Sequence, residues 1–161
     1  MQDLQLHTAI KSDEPTENLN EPKEQIIVFR LGQEEYGLHI SQIKEVVATP
    51  KMRAVPMSTS FIRGVANVRG NILAILDLEK KFNLHVDSVT ETEIPAYTLV
   101  VESWQHNMGI LVRQVPNTLN VGESQIDRSP QVLQEGNAYV EGIIRADNRL
   151  IILIDIFKAI A

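Results

Sequence analysis

The amino-acid sequence predicts an all-β protein made of two similar small lobes. Residues 64–82, GVANVRGNILAILDLEKKF, have the pattern of a β-hairpin whose second strand runs into a short helix. The same pattern returns without a gap at residues 142–160, GIIRADNRLIILIDIFKAI. Upstream, the segment around Gly37 matches the segment around Gly109 in the same way. Each half of the chain therefore carries the same order of elements, with helix as the minority.

The hairpin in residues 64–82 organises the rest of the chain. We predict a tight turn at Gly70 and Asn71, because both residue types tolerate positive φ. Both faces of the following strand, residues 72–76, are apolar, which predicts burial on both faces. Asp77 then stands where it can cap a short helix, and Asp155 has the equivalent position in the second half. A carboxylate pair for acid–base chemistry is the alternative for these two residues, but their matched positions favour two helix caps.

The other elements follow in chain order. Residues 26–40 have the pattern of two strands joined by a turn, and a helical turn is predicted near Ser41 before the chain extends again through Val46 and Val47. Residues 86–95 are acidic and polar and are predicted to cross between the lobes. A hairpin of residues 97–101 and 108–112 begins the second half, and a helical turn at residues 156–160 ends it. The predicted lobes are about residues 25–90 and about residues 91–161 of a single domain, 25–161.

The charge of the chain is unevenly distributed. Residues 1–24 carry a net charge of -4 out of the total of -6, and their polar composition predicts a disordered acidic tail. A solubilising role is favoured over a specific docking role for this tail. Glu45, in contrast, is the single acidic residue within a basic segment that contains Lys44, Lys51, Arg53, Arg63 and Arg69. This segment can receive an acidic partner surface, although a solvated face is the simpler interpretation.

Composition and motifs exclude several classes of function. The chain has no cysteine, which excludes a disulfide scaffold, a thiolate metal site and a cysteine nucleophile. The four histidines have no partner at metal-ligand spacing, and no phosphate-binding glycine loop or nucleophile elbow is present. Few aromatic residues and a slightly acidic folded part disfavour nucleic-acid binding. We therefore expect a soluble intracellular protein that binds a partner, without catalysis and without a cofactor.

Three segments of the sequence together resemble a known family. They are F-x-L-G-x-E-x-Y-G-L-x-I from Phe29, I-x-E-V-V from Ile43 and F-I-R-G-V-A-N-V-R-G-N-I-L-A-I-L-D-L from Phe61. Their order resembles that of the CheW-like coupling proteins of bacterial chemosensory systems, over about residues 25–159. Val68 departs from the pattern, since leucine is common at this position, and the acidic tail lies outside it.

The resemblance implies a fold and a function. The fold is two SH3-like, five-stranded β-barrel lobes with short helical turns, packed around a shared apolar interface. The function is that of a non-catalytic adaptor, which joins the cytoplasmic tips of chemoreceptors to the regulatory domain of a chemotaxis histidine kinase. The protein is then cytoplasmic and recruited to membrane-associated receptor arrays. The alternative is a binding module of the same fold that acts outside such arrays, as a competitor or a localisation factor.

The resemblance also assigns candidate site residues. Ile43, Glu45 and Val46 match the segment associated with kinase binding. Receptor coupling is associated with Arg69 in the N-x-R-G turn, together with its neighbours Asn67 and Gly64; at Gly64 a side chain is expected to be poorly tolerated. An apolar receptor helix would need an apolar groove, which we expect between the lobes. Ordinary core is the favoured interpretation for each candidate lining residue. The candidates are Val100, Val101, Val112, Ile72 and Leu73.

One contact within this site is predicted from charge. Glu45 is the only acid in the basic segment and Arg69 is the charged residue of the turn. Arginine can bind a carboxylate with two hydrogen bonds and so fix its direction. We therefore predict that Glu45 and Arg69 pair and organise the binding face in advance.

Overall fold

The computed structural model describes residues 20–56, 59–103, 107–129 and 138–160 of the chain. Most of these residues lie in strands, which confirms the all-β prediction. The strands are β1 (Lys23–Leu31), β2 (Glu34–His39), β3 (Ile43–Ala48), β4 (Ile62–Val68), β5 (Asn71–Leu76), β6 (Tyr97–Glu102), β7 (Asn107–Val112), β8 (Asn117–Gly122), β9 (Ile126–Asp127), β10 (Val140–Ala146) and β11 (Arg149–Ile154). The helices are α1 (Leu78–Lys81), α2 (Ser88–Thr92) and α3 (Ile156–Ala159), and single 3₁₀ turns cover Ile40–Gln42 and Glu123–Gln125.

The strands form two sheets. Sheet 1 has six strands in the order β8-β1-β2-β11-β10-β9, and sheet 2 has five strands in the order β3-β6-β7-β5-β4. The sixth strand of sheet 1, β9, is only two residues long. Its counterpart in sheet 2 is a single bridge between Arg53 and Val65. The two sheets therefore have the same plan.

Each sheet contains strands from both halves of the chain. The hairpin β1–β2 belongs to the same sheet as β8 to β11, whereas the hairpin β6–β7 belongs to the same sheet as β3 to β5. Parallel pairing of β2 with β11 and of β7 with β5 joins the exchanged hairpins to their sheets. The sequence division near residue 90 thus does not coincide with the division into sheets. Because the two halves offer similar strand edges, the first hairpin of one half can pair with the edge of the other.

The apolar core is continuous between the sheets. Its largest cluster contains Phe29 and Leu38 from sheet 1 together with Leu99 and Ile110 from sheet 2. A smaller cluster lies within each sheet, around Ile151 in sheet 1 and around Ile75 in sheet 2, and burial of this aliphatic surface is the main stabilising term of the fold. The sheets therefore form one domain with a shared core.

Both predicted helix caps are present. The Asp77 carboxylate accepts a hydrogen bond from the Lys80 amide at 3.2 Å, at the start of α1. The Asp155 carboxylate accepts bonds from the amides of Phe157 and Lys158 at 3.0 and 3.3 Å, at the start of α3. Two matched caps confirm that the sequence repeat is also a structural repeat.

The structure corrects three local predictions. Strand β1 begins at Lys23, so the end of the range predicted as a disordered tail belongs to sheet 1, while residues 1–19 lie outside the described residues. The connection between the halves contains α2, which the sequence analysis did not predict although Asp87 caps it. Ile72 is 65% exposed, because it lies at the start of β5 close to the turn, and only residues 73–76 are packed inside the domain.

Candidate partner-binding face

The turn between β4 and β5 has positive φ angles at both central residues, the mirror image of the common β-turn. Arg69 and Gly70 have φ angles of 52° and 87°, as in the two-residue turns that match the twist of a hairpin. The turn is therefore one residue earlier than predicted, at Arg69 and Gly70. The Asn67 side-chain oxygen accepts a hydrogen bond from the Gly70 amide at 2.9 Å and closes the turn. A non-glycine residue at positive φ is strained, so Arg69 is held in an unusual conformation by its surroundings.

Arg69 and Glu45 form the predicted ion pair. The Arg69 Nε atom donates to both carboxylate oxygens of Glu45, at 2.9 and 3.1 Å. The Arg69 side chain is 72% exposed and that of Glu45 is 22% exposed. Glu45 lies on β3, one edge strand of sheet 2, and Arg69 lies beside β4, the other edge strand. The pair thus joins the two ends of the strand order of sheet 2.

Strand β3 presents the three residues predicted to bind a kinase. Val46 is 40% exposed and Glu45 is half-buried, whereas Ile43 packs partly against the shared core. A register shift between Ile43 and Glu45 interrupts the pairing with β6. Within the described residues β3 is an edge strand of sheet 2, and its exposed Val46 side chain is available to a partner.

A shallow groove lies next to the turn. It is lined by Lys51, Arg53, Val65, Ala66, Asn67 and Ile72. The exposed Ile72 side chain gives the groove an apolar wall, and the two basic residues give it positive charge. The basic segment is visible in the sequence, but the meeting of Lys51 and Arg53 with Ile72 at one groove is not, because Arg53 bridges to β4 only in the tertiary structure.

Gly64 is buried, and its lack of a side chain lets Arg53, which lines the groove, lie close to β4. A Cβ atom at Gly64 would lie 2.4 Å from the Arg53 carbonyl oxygen, which is closer than such atoms approach. The backbone of Arg53 exchanges two hydrogen bonds with Val65, at 2.9 and 2.8 Å. A side chain at Gly64 would therefore push Arg53 away from β4. This geometry agrees with the expectation that position 64 tolerates a side chain poorly.

Four of the five residues predicted to line a receptor groove are buried in the core. Val101 and Val112 belong to the cluster shared by the sheets, and Val100 and Leu73 belong to the cluster within sheet 2. Each is at most 4% exposed, so none of these four side chains is available to a partner in this conformation. The prediction is corrected for them. Only Ile72, which lies in the groove beside the turn, faces outward.

The ion pair is not repeated at the two matched positions that the structure describes in the second half of the chain. Gly109 and Gly37 are matched in the repeat. Glu45 lies two strands away from Gly109 in sheet 2, and Asn117 lies two strands away from Gly37 in sheet 1, so Asn117 occupies the position of Glu45. Asp147 occupies the position of Arg69 in the repeat. An amide and a carboxylate cannot form an ion pair. The turn at Asp147 keeps the same positive φ, 50°, so the asymmetry between the halves is chemical rather than conformational.

The basic residue Arg53 of the groove has an acidic counterpart in the second half. Asp127 pairs with β10 as Arg53 does with β4, and its carboxylate contacts Arg145 at 3.4 Å. Three of the five basic residues of segment 44–69 are paired, since Lys44 contacts Glu102 and Arg63 contacts Asp77 in addition to the pair at Arg69. Lys51 and Arg53 supply the remaining positive charge of this face.

Exposed aliphatic side chains beside an ion-paired turn and a basic groove are the chemistry of a protein-binding surface. Among residues 20–56, 59–103, 107–129 and 138–160, no group of three or more histidine and acidic side chains is arranged to hold a metal ion. No helix in the described part of the chain has the length and apolar composition needed to cross a membrane. The fold and this face together define a two-sheet β domain of the protein-binding class.

Comparison with known proteins identifies the family. The model of the CheW-like domain matches residues 25–161, and the chain belongs to this family. Chemotaxis protein CheW of Bacillus subtilis (strain 168) is 31% identical over 134 residues, which cover 82% of this chain and 83% of that protein. Chemotaxis protein CheW of Treponema pallidum (strain Nichols) is 27% identical over 142 residues, which cover 87% of this chain and 84% of that protein.

A solved structure shares the fold. The crystal structure of the scaffolding protein TtCheW from Thermoanaerobacter tengcongensis superposes with a TM-score of 0.72 and 32% sequence identity. The match covers 83% of this chain and 89% of that one. The two-lobed all-β architecture implied by the resemblance is thus confirmed.

Proposed function

We propose that this protein is a non-catalytic adaptor that couples the cytoplasmic tips of chemoreceptors to a chemotaxis histidine kinase. The observation that carries the proposal is the ion pair of Glu45 and Arg69 beside exposed aliphatic side chains, in a chain of the CheW-like domain family. Its relatives in the family carry the name chemotaxis protein, and one is described as a scaffolding protein. The protein then acts in the cytoplasm, at membrane-associated receptor arrays, and does not itself insert into the membrane.

The kinase regulatory domain binds at β3 in this proposal. Val46 supplies exposed apolar surface, and Glu45 supplies a carboxylate whose direction is fixed by Arg69. Ile43, the first residue of β3, packs against the shared core and so holds the strand in place for binding. An aliphatic contact with a charged rim makes a modest interface, which suits an assembly held by many repeated weak contacts.

Receptor coupling involves the turn and the groove in this proposal. Arg69 is the exposed charge of the turn, and Asn67 holds the turn in its conformation. Gly64 acts indirectly, because it allows Arg53 to approach β4. Ile72 is the one residue of the predicted apolar lining that remains exposed, so it is the candidate contact for an apolar side chain of the receptor.

Calorimetric titration with the kinase regulatory domain tests the proposal. We expect micromolar binding, which corresponds to roughly 8 kcal/mol, and loss of this binding in Glu45→Lys. Glu91→Lys introduces the same change of charge at an exposed position on α2 and is the matched control. Absence of binding by a folded sample, or equal affinity of wild type and Glu45→Lys, would contradict the kinase assignment.

Truncation of the tail distinguishes the adaptor from the alternative, a binding module that is recruited through its tail. The truncation removes residues 1–19 and keeps β1, because strand pairing with β8 starts at Lys23. The adaptor keeps its affinity for the kinase domain after truncation. A tail-recruited module loses its partner, and this result would favour action outside receptor arrays.

A further inference from the structure

His39 lies between two carboxylates at the end of β2. Its Nε2 atom is 2.6 Å from a Glu141 carboxylate oxygen, and its Nδ1 atom contacts a Glu24 carboxylate oxygen. A neutral imidazole has only one N–H group, so it can donate to one carboxylate at a time. Only the protonated ring can donate to both. The geometry is therefore that of an imidazolium.

The groups around His39 come from four separate parts of the chain. Glu24 lies on β1 and Glu141 lies on β10. Arg128, which follows β9, donates to the Glu141 carbonyl oxygen at 3.1 Å and pairs with Glu123 of the 3₁₀ turn at 2.7 Å. Three carboxylates therefore face two cations when His39 is charged, and a single cation when it is neutral.

The protonation equilibrium of His39 follows from this environment. Burial disfavours the charged ring, but the hydrogen bonds to Glu141 and Glu24 outweigh burial and raise the pKa of His39 above the ordinary value of 6.5. The His39 side chain is 17% exposed, so solvent screens these contacts only partly. Folding thus shifts the protonation equilibrium of His39 toward the charged form.

His39 also lies at the point where the chain leaves sheet 1. The next three residues form the 3₁₀ turn Ile40–Gln42, and β3 of sheet 2 begins directly after it. The Gln42 side chain contacts the Asp155 carboxylate at 3.4 Å, which holds the turn near the start of α3. The orientation of β3, which carries Glu45 and Val46, therefore depends on the anchoring of this crossover.

We propose that His39 is a proton-linked clamp, which ties β1 and β10 together at the start of the crossover when its imidazole is protonated and releases them when it is neutral. The clamp itself can be tested without a partner. Its bearing on β3 rests on the proposed function, because β3 is the strand assigned to the kinase.

Proton NMR of the full chain measures the clamp directly. We expect the His39 ring to titrate with a pKa above 6.5, and Glu141→Gln to move this pKa downward because the carboxamide lacks the negative charge that favours the protonated ring. The amide signals of residues 40–46 should shift with the same midpoint. A His39 pKa at or below 6.5, or amide shifts that ignore the His39 titration, would overturn the proposal.

Thermal unfolding across pH provides the second test. Because the folded-state pKa is raised, the stabilisation by His39 is complete below the ordinary pKa and is lost as pH rises through the folded-state value. The decrease in Tm caused by His39→Gln should therefore be largest near about pH 6 and should shrink as the pH rises through the folded-state pKa of His39. His85→Gln, at an exposed histidine outside the cluster, is the matched control. A Tm difference independent of pH would mean that His39 stabilises the fold by packing and not by its charge, and this would overturn the proposal.

Discussion

Arg113 and Glu79 form an ion pair that holds the connection between the two halves of the chain. The Arg113 guanidinium contacts one Glu79 oxygen at 2.9 Å, and the second Glu79 oxygen accepts the Gly32 amide at 2.8 Å. The same guanidinium donates to the carbonyl oxygens of Thr90 and Glu93, at 3.0 and 3.2 Å. The Glu79 side chain is 8% exposed. This pair therefore links α1, α2 and the β1–β2 turn.

Removal of one partner of this pair should destabilise the fold strongly. For Arg113→Met we expect a loss of about 3 kcal/mol in the free energy of unfolding, because the buried Glu79 carboxylate is left without its cation. Urea unfolding measures the loss. Lys44→Met is the control, since Lys44 and Glu102 form an exposed pair, and its effect should stay within about 1 kcal/mol. Equal effects of the two substitutions would show that the Arg113 pair is no stronger than a surface contact.

Charge exchange tests the pair of Glu45 and Arg69. Glu45→Arg and Arg69→Glu should each change the free energy of unfolding by no more than about 1 kcal/mol, because the pair is exposed on the arginine side. Each should weaken kinase-domain binding at least about tenfold, or about 1.4 kcal/mol. The double variant restores the pair with reversed sign, and titration calorimetry should recover part of the lost affinity. Failure of the double variant to recover any affinity would exclude mutual pairing as the explanation.

Gly64 and Gly142 each lie within 3.0 Å, at their Cβ position, of a neighbouring carbonyl oxygen, so alanine at either position should destabilise the fold. Gly64→Ala places a Cβ atom 2.4 Å from the Arg53 carbonyl oxygen, and Gly142→Ala places one 2.9 Å from the Asp127 carbonyl oxygen. We expect each to cost about 1–3 kcal/mol as the strands separate. At Gly70 nothing lies within 4 Å, so Gly70→Ala pays only for its positive φ and should cost about 1 kcal/mol. Thermal unfolding of the three variants should give this order, and a larger loss at Gly70 would contradict the close-contact explanation.

The helix caps predict a difference between the two repeats. Asp155→Ala should cost about 1 kcal/mol through loss of the cap. Asp77→Ala should cost more, because Asp77 is 4% exposed and also contacts Arg63 at 3.3 Å, which then loses its partner. Chemical denaturation of both variants makes the comparison. Asp77→Asn, which keeps a capping side chain, should recover part of the loss; no recovery would show that the ion pair with Arg63 dominates.

Several features of the site were accessible from local sequence patterns. The repeat of residues 64–82 at 142–160 predicted both hairpins and both caps, because turns and caps depend on residues close in the chain. The pair of Glu45 and Arg69 was predicted because each is the outstanding charge of its segment. For Val100, Val101, Val112 and Leu73 the sequence left two interpretations, the core or a groove, and favoured the core, where the structure places them. The sequence could not decide between the two, since alternation shows only that a residue faces apolar surroundings.

The all-β class, the repeat and the matched caps at Asp77 and Asp155 could be predicted from the sequence, since they depend on neighbours within a few residues, whereas the turn between β4 and β5 was predicted one residue too late and α2 was missed. Tertiary structure alone decided that the first hairpins of the two halves are exchanged between the sheets. It also brought His39 to Glu141 and Arg113 to Glu79. The physical reason is that similar strand edges pair equally well within a half or between halves, so the choice depends on the core that both sheets share.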